Sequence, residues 1–181
     1  MSEKMTGKQA LLEMLKAEGV THIFGNPGTS EAPIIDMLGD HPELRYFLTL
    51  QESVAMGMGE AYARATETAS FVSLHVDSGL ANGIALMLDA LNTGTPMVVT
   101  SANYDARKMN ETKTDLAELV RPVTKWAVEI NLPDQIPSVI RRAFNEANSH
   151  PKGPVYVGFT ANALEAEAEM NIVPSKKVYD S

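Results

Sequence analysis

The run Phe71-Val72-Ser73-Leu74-His75-Val76-Asp77-Ser78-Gly79 reads as a short β-strand that ends at a histidine and breaks into a glycine-containing turn. It leads directly into Leu80–Leu91, a segment apolar on nearly every side of a helix, and then into a second strand, Pro96-Met97-Val98-Val99-Thr100. A strand, a tight turn, a helix and another strand joined by short links form the unit from which parallel sheets are built. A helix with so little polar surface has to be covered, either by a second layer of the domain or by a partner subunit.

The same alternation extends in both directions. Towards the N-terminus, residues 7–18 form a helix capped by Thr6, with Leu11, Leu12 and Leu15 on one face and Gly19 as its stop. His22-Ile23-Phe24 and Arg45–Leu50 are strands, and between them Glu31–Leu38 is a short helix that tolerates Pro33 in its first turn. From Glu52 the period becomes helical, with Val54, Ala55, Met58, Ala61, Tyr62 and Ala65 on one continuous face. Towards the C-terminus, residues 101–113 read as a polar loop, Asp115–Val120 as a short helix and Val123–Ile130 as a strand. Ile136, Val139, Ile140, Ala143, Phe144 and Ala147 mark an amphipathic helix, and Pro154–Phe159 the last strand. The expectation is a three-layer α/β/α domain over residues 1–160, with a mainly parallel sheet of about six strands. Residues 161–181, where glutamates alternate with alanines, read as a linker or tail leading out of the domain.

Composition narrows the function. With 15 Lys+Arg against 23 Asp+Glu the net charge is −8, and the longest basic runs are the pairs Arg141-Arg142 and Lys176-Lys177. A nucleic-acid partner is therefore not expected, because phosphate binding needs a clustered basic surface. The chain has no cysteine, which removes disulfides, thiolate metal sites and a cysteine nucleophile. No stretch approaches the ~20 apolar residues needed to span a bilayer, and no signal-peptide pattern opens the chain. A cytoplasmic location is the expectation.

In open parallel sheets ligands gather at the carboxyl ends of the strands. The residues there are Gly25–Ser30, Gln51-Glu52, His75–Gly79 and Ser101–Tyr104. The Gly25-Asn26-Pro27-Gly28-Thr29-Ser30 loop could hold an anion on its backbone N–H groups, or be a plain turn with Thr29 or Ser30 as helix cap. Glu52, in the first turn of a helix, could serve the helix dipole alone. Closed over by a partner, its pKa would rise and it could transfer protons. His75 is either a structural residue or a catalyst. Gly57-Met58-Gly59-Glu60-Ala61 is not a dinucleotide fingerprint, because its glycines sit inside the helix, and close helix packing accounts for both of them. His22, His41, His75 and His150 show no metal-ligand spacing, so no metal is expected on this chain alone. Neither a Gly-x-Ser-x-Gly elbow nor a Gly-Lys-Ser/Thr phosphate loop is present.

Taken together, Phe24-Gly25-Asn26-Pro27-Gly28-Thr29, Leu50-Gln51-Glu52-Ser53, Glu60-Ala61-Tyr62-Ala63-Arg64-Ala65 and Leu74-His75 resemble the N-terminal, pyrimidine-binding domain of thiamine-diphosphate-dependent 2-oxo acid decarboxylases. Thr95–Thr100, Arg121–Trp126 and Gly153–Tyr156 extend the resemblance, which runs in order from about residue 7 to residue 160. The nearest pattern is that of benzoylformate decarboxylases, with acetolactate synthases more distant.

The resemblance implies that Glu52 hydrogen-bonds the aminopyrimidine of thiamine diphosphate and so activates it, and that Pro27, Gly28 and Asn82 line the cofactor site. It implies that His75 relays protons near the carbonyl of a 2-oxo acid, while Thr29 stands where a serine contacts the substrate carboxylate. Two departures bear on substrate choice: Leu80-Ala81-Asn82 lacks an expected second glycine, and Asp77 is unusually polar for its place. The family binds the diphosphate and Mg2+ through a Gly-Asp-Gly…Asn-Asn run in a separate domain, and that run is absent here. This chain is thus expected to provide half a site, inactive alone, completed by a diphosphate-binding domain of the same or another chain in a homo-dimer or tetramer. The alternatives are a free-standing subunit of a two-chain decarboxylase and a non-catalytic assembly module.

Overall fold

The computed structural model describes residues 2–108 and 114–175. The elements run β1 (Glu3–Thr6), α1 (Gly7–Ala17), β2 (His22–Asn26), α2 (Ala32–Met37), β3 (Arg45–Leu48), α3 (Glu52–Thr66), β4 (Ser70–Leu74) and α4 (Ser78–Thr93). They continue with β5 (Met97–Asn103), α5 (Leu116–Val120), β6 (Trp126–Ile130), α6 (Ile136–Asn148), β7 (Pro154–Thr160), α7 (Ala161–Glu165) and β8 (Glu167–Met170).

Six strands form one sheet in the order β3-β2-β4-β5-β7-β6, and every pairing in it is parallel. Parallel neighbours require crossovers, and the helices that make them cover both faces. On one face α1 and α6 bury Leu11, Leu15, Ile140 and Phe144 against Ile23, Phe71, Val98 and Val157. On the other, α3, α4 and α5 bury Met56, Leu80, Met87 and Leu116 against Phe24, Val72, Val99 and Tyr156. The three-layer α/β/α expectation holds, and the main sheet is wholly parallel.

Local chemistry sets the ends of the elements. Thr6 caps α1 through a full capping box, its hydroxyl accepting from the Gln9 N–H while the Gln9 side chain accepts from the Thr6 N–H. Such a cap contributes about 1 kcal/mol. Gln51 caps α3, its amide oxygen accepting from the N–H groups of Ser53 and Val54. This cap fixes where Glu52 begins the helix.

Two stretches differ from the sequence reading. Ser101, Ala102 and Asn103 are not loop: they are buried and extend β5, because β7 pairs with it through Asn103↔Thr160. Their polar side chains find partners across the sheet, with Ser101 Oγ 2.6 Å from the Tyr156 hydroxyl and Asn103 Nδ2 donating to Glu129 at 2.7 Å. Of the rest of that polar stretch, Ala106–Lys108 form a single 3-10 turn, and residues 109–113 lie outside the described residues. The reading of 161–181 as a linker also needs correction for its first part. Residues 161–170 fold back as α7 and β8, burying Ala163, Leu164 and Met170 in the α1–α6 core. There β8 pairs antiparallel with β1, from Glu3↔Met170 to Thr6↔Glu167.

The two glycines of α3 turn out to be unequal. A Cβ on Gly59 would stand 2.5 Å from Val72 Cγ2, so this glycine does mark the close approach of helix and sheet. A Cβ on Gly57 would meet only Leu86 Cδ1, at an ordinary 3.6 Å, so packing within this chain does not account for it. Gly59→Ala is therefore expected to destabilise the domain by about 1–3 kcal/mol through overpacking. Gly57→Ala should stabilise it by up to about 1 kcal/mol through helix propensity. Urea unfolding of the two variants checks both signs.

Candidate functional site

Because β2, β4 and β5 run in register, their carboxyl ends open at one level: Asn26 lies opposite Leu74, the residue before His75. Glu52 enters from the start of α3 and Asn82 from the second turn of α4. Asn26 Nδ2 donates to Glu52 Oε1 at 2.9 Å, and Asn82 Nδ2 donates to Oε2 at 3.0 Å. The carboxylate is 7% exposed. Each of its oxygens keeps acceptor capacity beyond the one amide it receives. Burial, the largest influence on this group, pushes its pKa up. The Asn82 amide, a backbone N–H, the Asn26 amide and the nearby His75 outweigh burial and hold it below the ordinary 4.5. The upward shift expected on closure by a partner is not a property of this chain by itself.

His75 follows β4 and sits beside Glu52. A Cβ added to Gly79 would fall 2.8 Å from His75 Cβ and 3.0 Å from Glu52 Oε1, so the two side chains share a wall that tolerates only glycine. The other side of the imidazole lies on Gly28, where a Cβ would stand 1.8 Å from Nδ1. Asn82, Gly28, His75 and Glu52 thus form one cluster. Pro27 and Thr29 do not join its hydrogen bonds. They line an adjoining open groove of about 590 Å³ with Lys8, Asp36 and Glu165, and Glu52 and His75 are not among its walls.

Sequence reasoning missed Glu31. Neither Thr29 nor Ser30 caps α2; Glu31 occupies that position and its side chain makes no capping bond. Instead its fully buried carboxylate turns inward. Oε2 accepts from the Gly28 N–H at 2.9 Å and lies 3.4 Å from His75 Nδ1, while Oε1 accepts from the Ala102 N–H at 2.7 Å. The loop does bind an anion, and that anion is the chain's own. The available signal was the spacing Gly28-x-x-Glu31, which matches a carboxylate reaching back to a backbone N–H three residues earlier. Among the described residues no group of three or more potential metal ligands comes together, and no helix is long and apolar enough to cross a membrane.

Asp77, the turn residue before α4, holds φ 54° and ψ −97° with no side-chain cap bond. A non-glycine residue in such a region costs about 1–3 kcal/mol. Asp77→Gly should relieve that strain, less the backbone entropy glycine adds to the unfolded chain, for a net gain of about 1 kcal/mol in denaturant unfolding. A second prediction concerns pH. The lowered pKa means that Glu52 stabilises the fold above its ordinary 4.5, and this contribution is lost as pH falls through the lower folded value. The stability gap between the wild type and Glu52→Gln should therefore be open at neutral pH and narrow on acidification to about pH 3. Thermal unfolding across that range checks it.

Comparison with known proteins agrees with this geometry. Residues 5–124 match the family described as thiamine pyrophosphate enzyme, N-terminal TPP binding domain. A benzoylformate decarboxylase from Pseudomonas aeruginosa is 34% identical over 158 residues, covering 84% of this chain and 29% of that protein. A mitochondrial acetolactate synthase catalytic subunit from Aspergillus candidus is 32% identical over 191 residues, covering 97% of this chain and 27% of its own length. The chain thus spans under a third of either relative. A solved structure assigned to the thiamin diphosphate-dependent enzymes, from Mycobacterium smegmatis, superposes with a TM-score of 0.86 at 26% identity, covering 97% of this chain and 34% of that one. With its parallel α/β/α fold and the match over residues 5–124, this chain belongs to the thiamine pyrophosphate enzyme family and carries its N-terminal TPP binding domain.

Proposed function

We propose that this chain is the pyrimidine-binding half of a thiamine-diphosphate-dependent 2-oxo acid decarboxylase or lyase of the benzoylformate decarboxylase type, with Glu52 as the residue that activates the cofactor. The observation that carries this reading is a buried carboxylate held from both sides by Asn26 and Asn82, with acceptor capacity left, at the carboxyl ends of the strands. That is the acceptor a ring nitrogen able to share a proton requires. Glu52 holds a proton at that nitrogen, Asn26 and Asn82 keep the carboxylate oriented, and Gly28 and Gly79 leave room beside it. When bound, thiamine diphosphate supplies an electron sink for the bond that breaks as carbon dioxide leaves. His75, beside Glu52 and partly open to the cleft, holds a proton near the substrate carbonyl, and Thr29 on the adjoining groove orients the substrate carboxylate.

The remaining half of the site, including the Mg2+ and diphosphate ligands, belongs to a second domain in this reading. Leu50, two residues before Glu52, and Val54, Met58 and Leu88 on the packed helices α3 and α4 are exposed apolar side chains. Leu50 is 97% exposed in this chain, and exposed apolar side chains of this kind mark a docking surface. The second domain covers it and desolvates Glu52. The 181-residue chain alone is accordingly inactive.

The test uses the full-length protein that contains this domain, with thiamine diphosphate, Mg2+ and benzoylformate or another 2-oxo acid. Glu52→Gln should lower carbon dioxide release by about 10²–10⁴-fold, the range for losing a positioned proton-transfer group. Activity within a factor of two of the wild type would remove Glu52 from the mechanism and leave the domain an assembly role.

A further inference from the structure

We infer that Glu31 is the positioning residue of this site: its buried carboxylate fixes the His75 ring with the proton on Nδ1 and the free Nε2 on the cleft side, and ties the Thr29 loop to the end of β5. The inference rests on reading His75 as a substrate-side residue.

Glu31 is 0% exposed, and among the described residues no lysine or arginine pairs with it; its side-chain partner is the His75 imidazole, at 3.4 Å. A buried carboxylate without lysine or arginine is costly unless its oxygens are met by other donors. They are: Oε1 accepts from the Ala102 N–H, and Oε2 accepts from the Gly28 N–H and faces His75 Nδ1. These contacts join three separate pieces of backbone: the loop before α2, the end of β4 and the end of β5. The phenol groups of Tyr46 from β3 and Tyr156 from β7 are near enough to feel the same charge, and neither is a cation.

The arrangement is selective for a carboxylate. Oε1 accepts from the Ala102 N–H and Oε2 from the Gly28 N–H, so as a carboxylate the group is an acceptor at both oxygens and the imidazole nitrogen facing it is the donor. Which ring nitrogen carries the proton is set by the hydrogen bonds the ring makes, and a carboxylate facing Nδ1 places it there. Gly28 lies against the ring at Nδ1 and Gly79 against the His75 Cβ, so backbone meets the side chain at both places. The side chain of His75 is 37% exposed, which leaves its edge away from Glu31 open to the cleft. A glutamine at position 31 would turn an amide NH₂ towards either the Gly28 or the Ala102 N–H, so it cannot reproduce the clamp.

The experiment is a long-range ¹H–¹⁵N correlation spectrum of this chain labelled with ¹⁵N-histidine at neutral pH, with the His75 signals assigned by their loss in His75→Gln. The expected result is a protonated Nδ1 at His75. In Glu31→Gln the population should move to the Nε2–H form that free histidine prefers. In the full-length enzyme kcat should fall about 10–100-fold, the range seen when carboxylates that orient imidazoles are removed, with a smaller change in KM. A wild-type His75 in the Nε2–H form overturns the inference, whatever the variant does. So does a folded Glu31→Gln with an unchanged tautomer. Loss of the cofactor reading through an active Glu52→Gln would leave the tautomer result untouched, so the two failures are distinguishable.

Discussion

The constraint on which the site depends is the common level of three parallel strand ends. β2, β4 and β5 are hydrogen-bonded in one register, so Asn26, His75 and the Ala102 N–H are presented together although they lie far apart in the chain. A parallel sheet has to be covered on both faces, and the helices that cover it start from those same ends. Glu52 therefore arrives at the first turn of α3 and Asn82 early in α4. The cluster is a consequence of the topology, with side-chain chemistry added at the strand-to-helix junctions.

Two carboxylates within this cluster receive opposite treatment. Glu52 is nearly buried, is held by neutral amides and lies two residues after the exposed Leu50, so its surroundings change when a partner covers that residue. Glu31 is fully buried and its oxygens are taken by backbone N–H groups and an imidazole, so its surroundings are fixed within this chain. In the proposed function the first exchanges a proton with the bound cofactor, and in the inference drawn from it the second holds its neighbours still. His75 stands between them, flanked by Gly28 and Gly79 because nothing larger fits.

The sheet and its helices were legible because their patterning is local. Phe71–Leu74 and Pro154–Phe159 are short apolar runs, and α6 repeats its apolar residues at helical spacing. What the sequence did not reveal depends on distant partners. β1 and β8 are too short and too polar to read as strands, and their pairing joins positions as far apart as Glu3 and Met170. Ser101–Asn103 look like loop because the Ser101 hydroxyl and the Asn103 amide nitrogen find their partners, Tyr156 and Glu129, on strands distant in sequence. Glu52 and His75 could be singled out from their places at strand ends and from the family resemblance, and Asn82 from the resemblance alone. Glu31 is harder: its spacing to Gly28 is a local signal, but it reads equally as the start of a helix, and its partners Ala102 and His75 are brought to it only by the sheet.

The most direct test of the central claim is a crystal structure of the full-length enzyme with thiamine diphosphate bound. The account places a Glu52 oxygen about 2.6–3.0 Å from a nitrogen of the pyrimidine ring, with Asn26 and Asn82 still donating to that carboxylate. A pyrimidine bound away from Glu52, with the carboxylate still held only by its two amides, would contradict it.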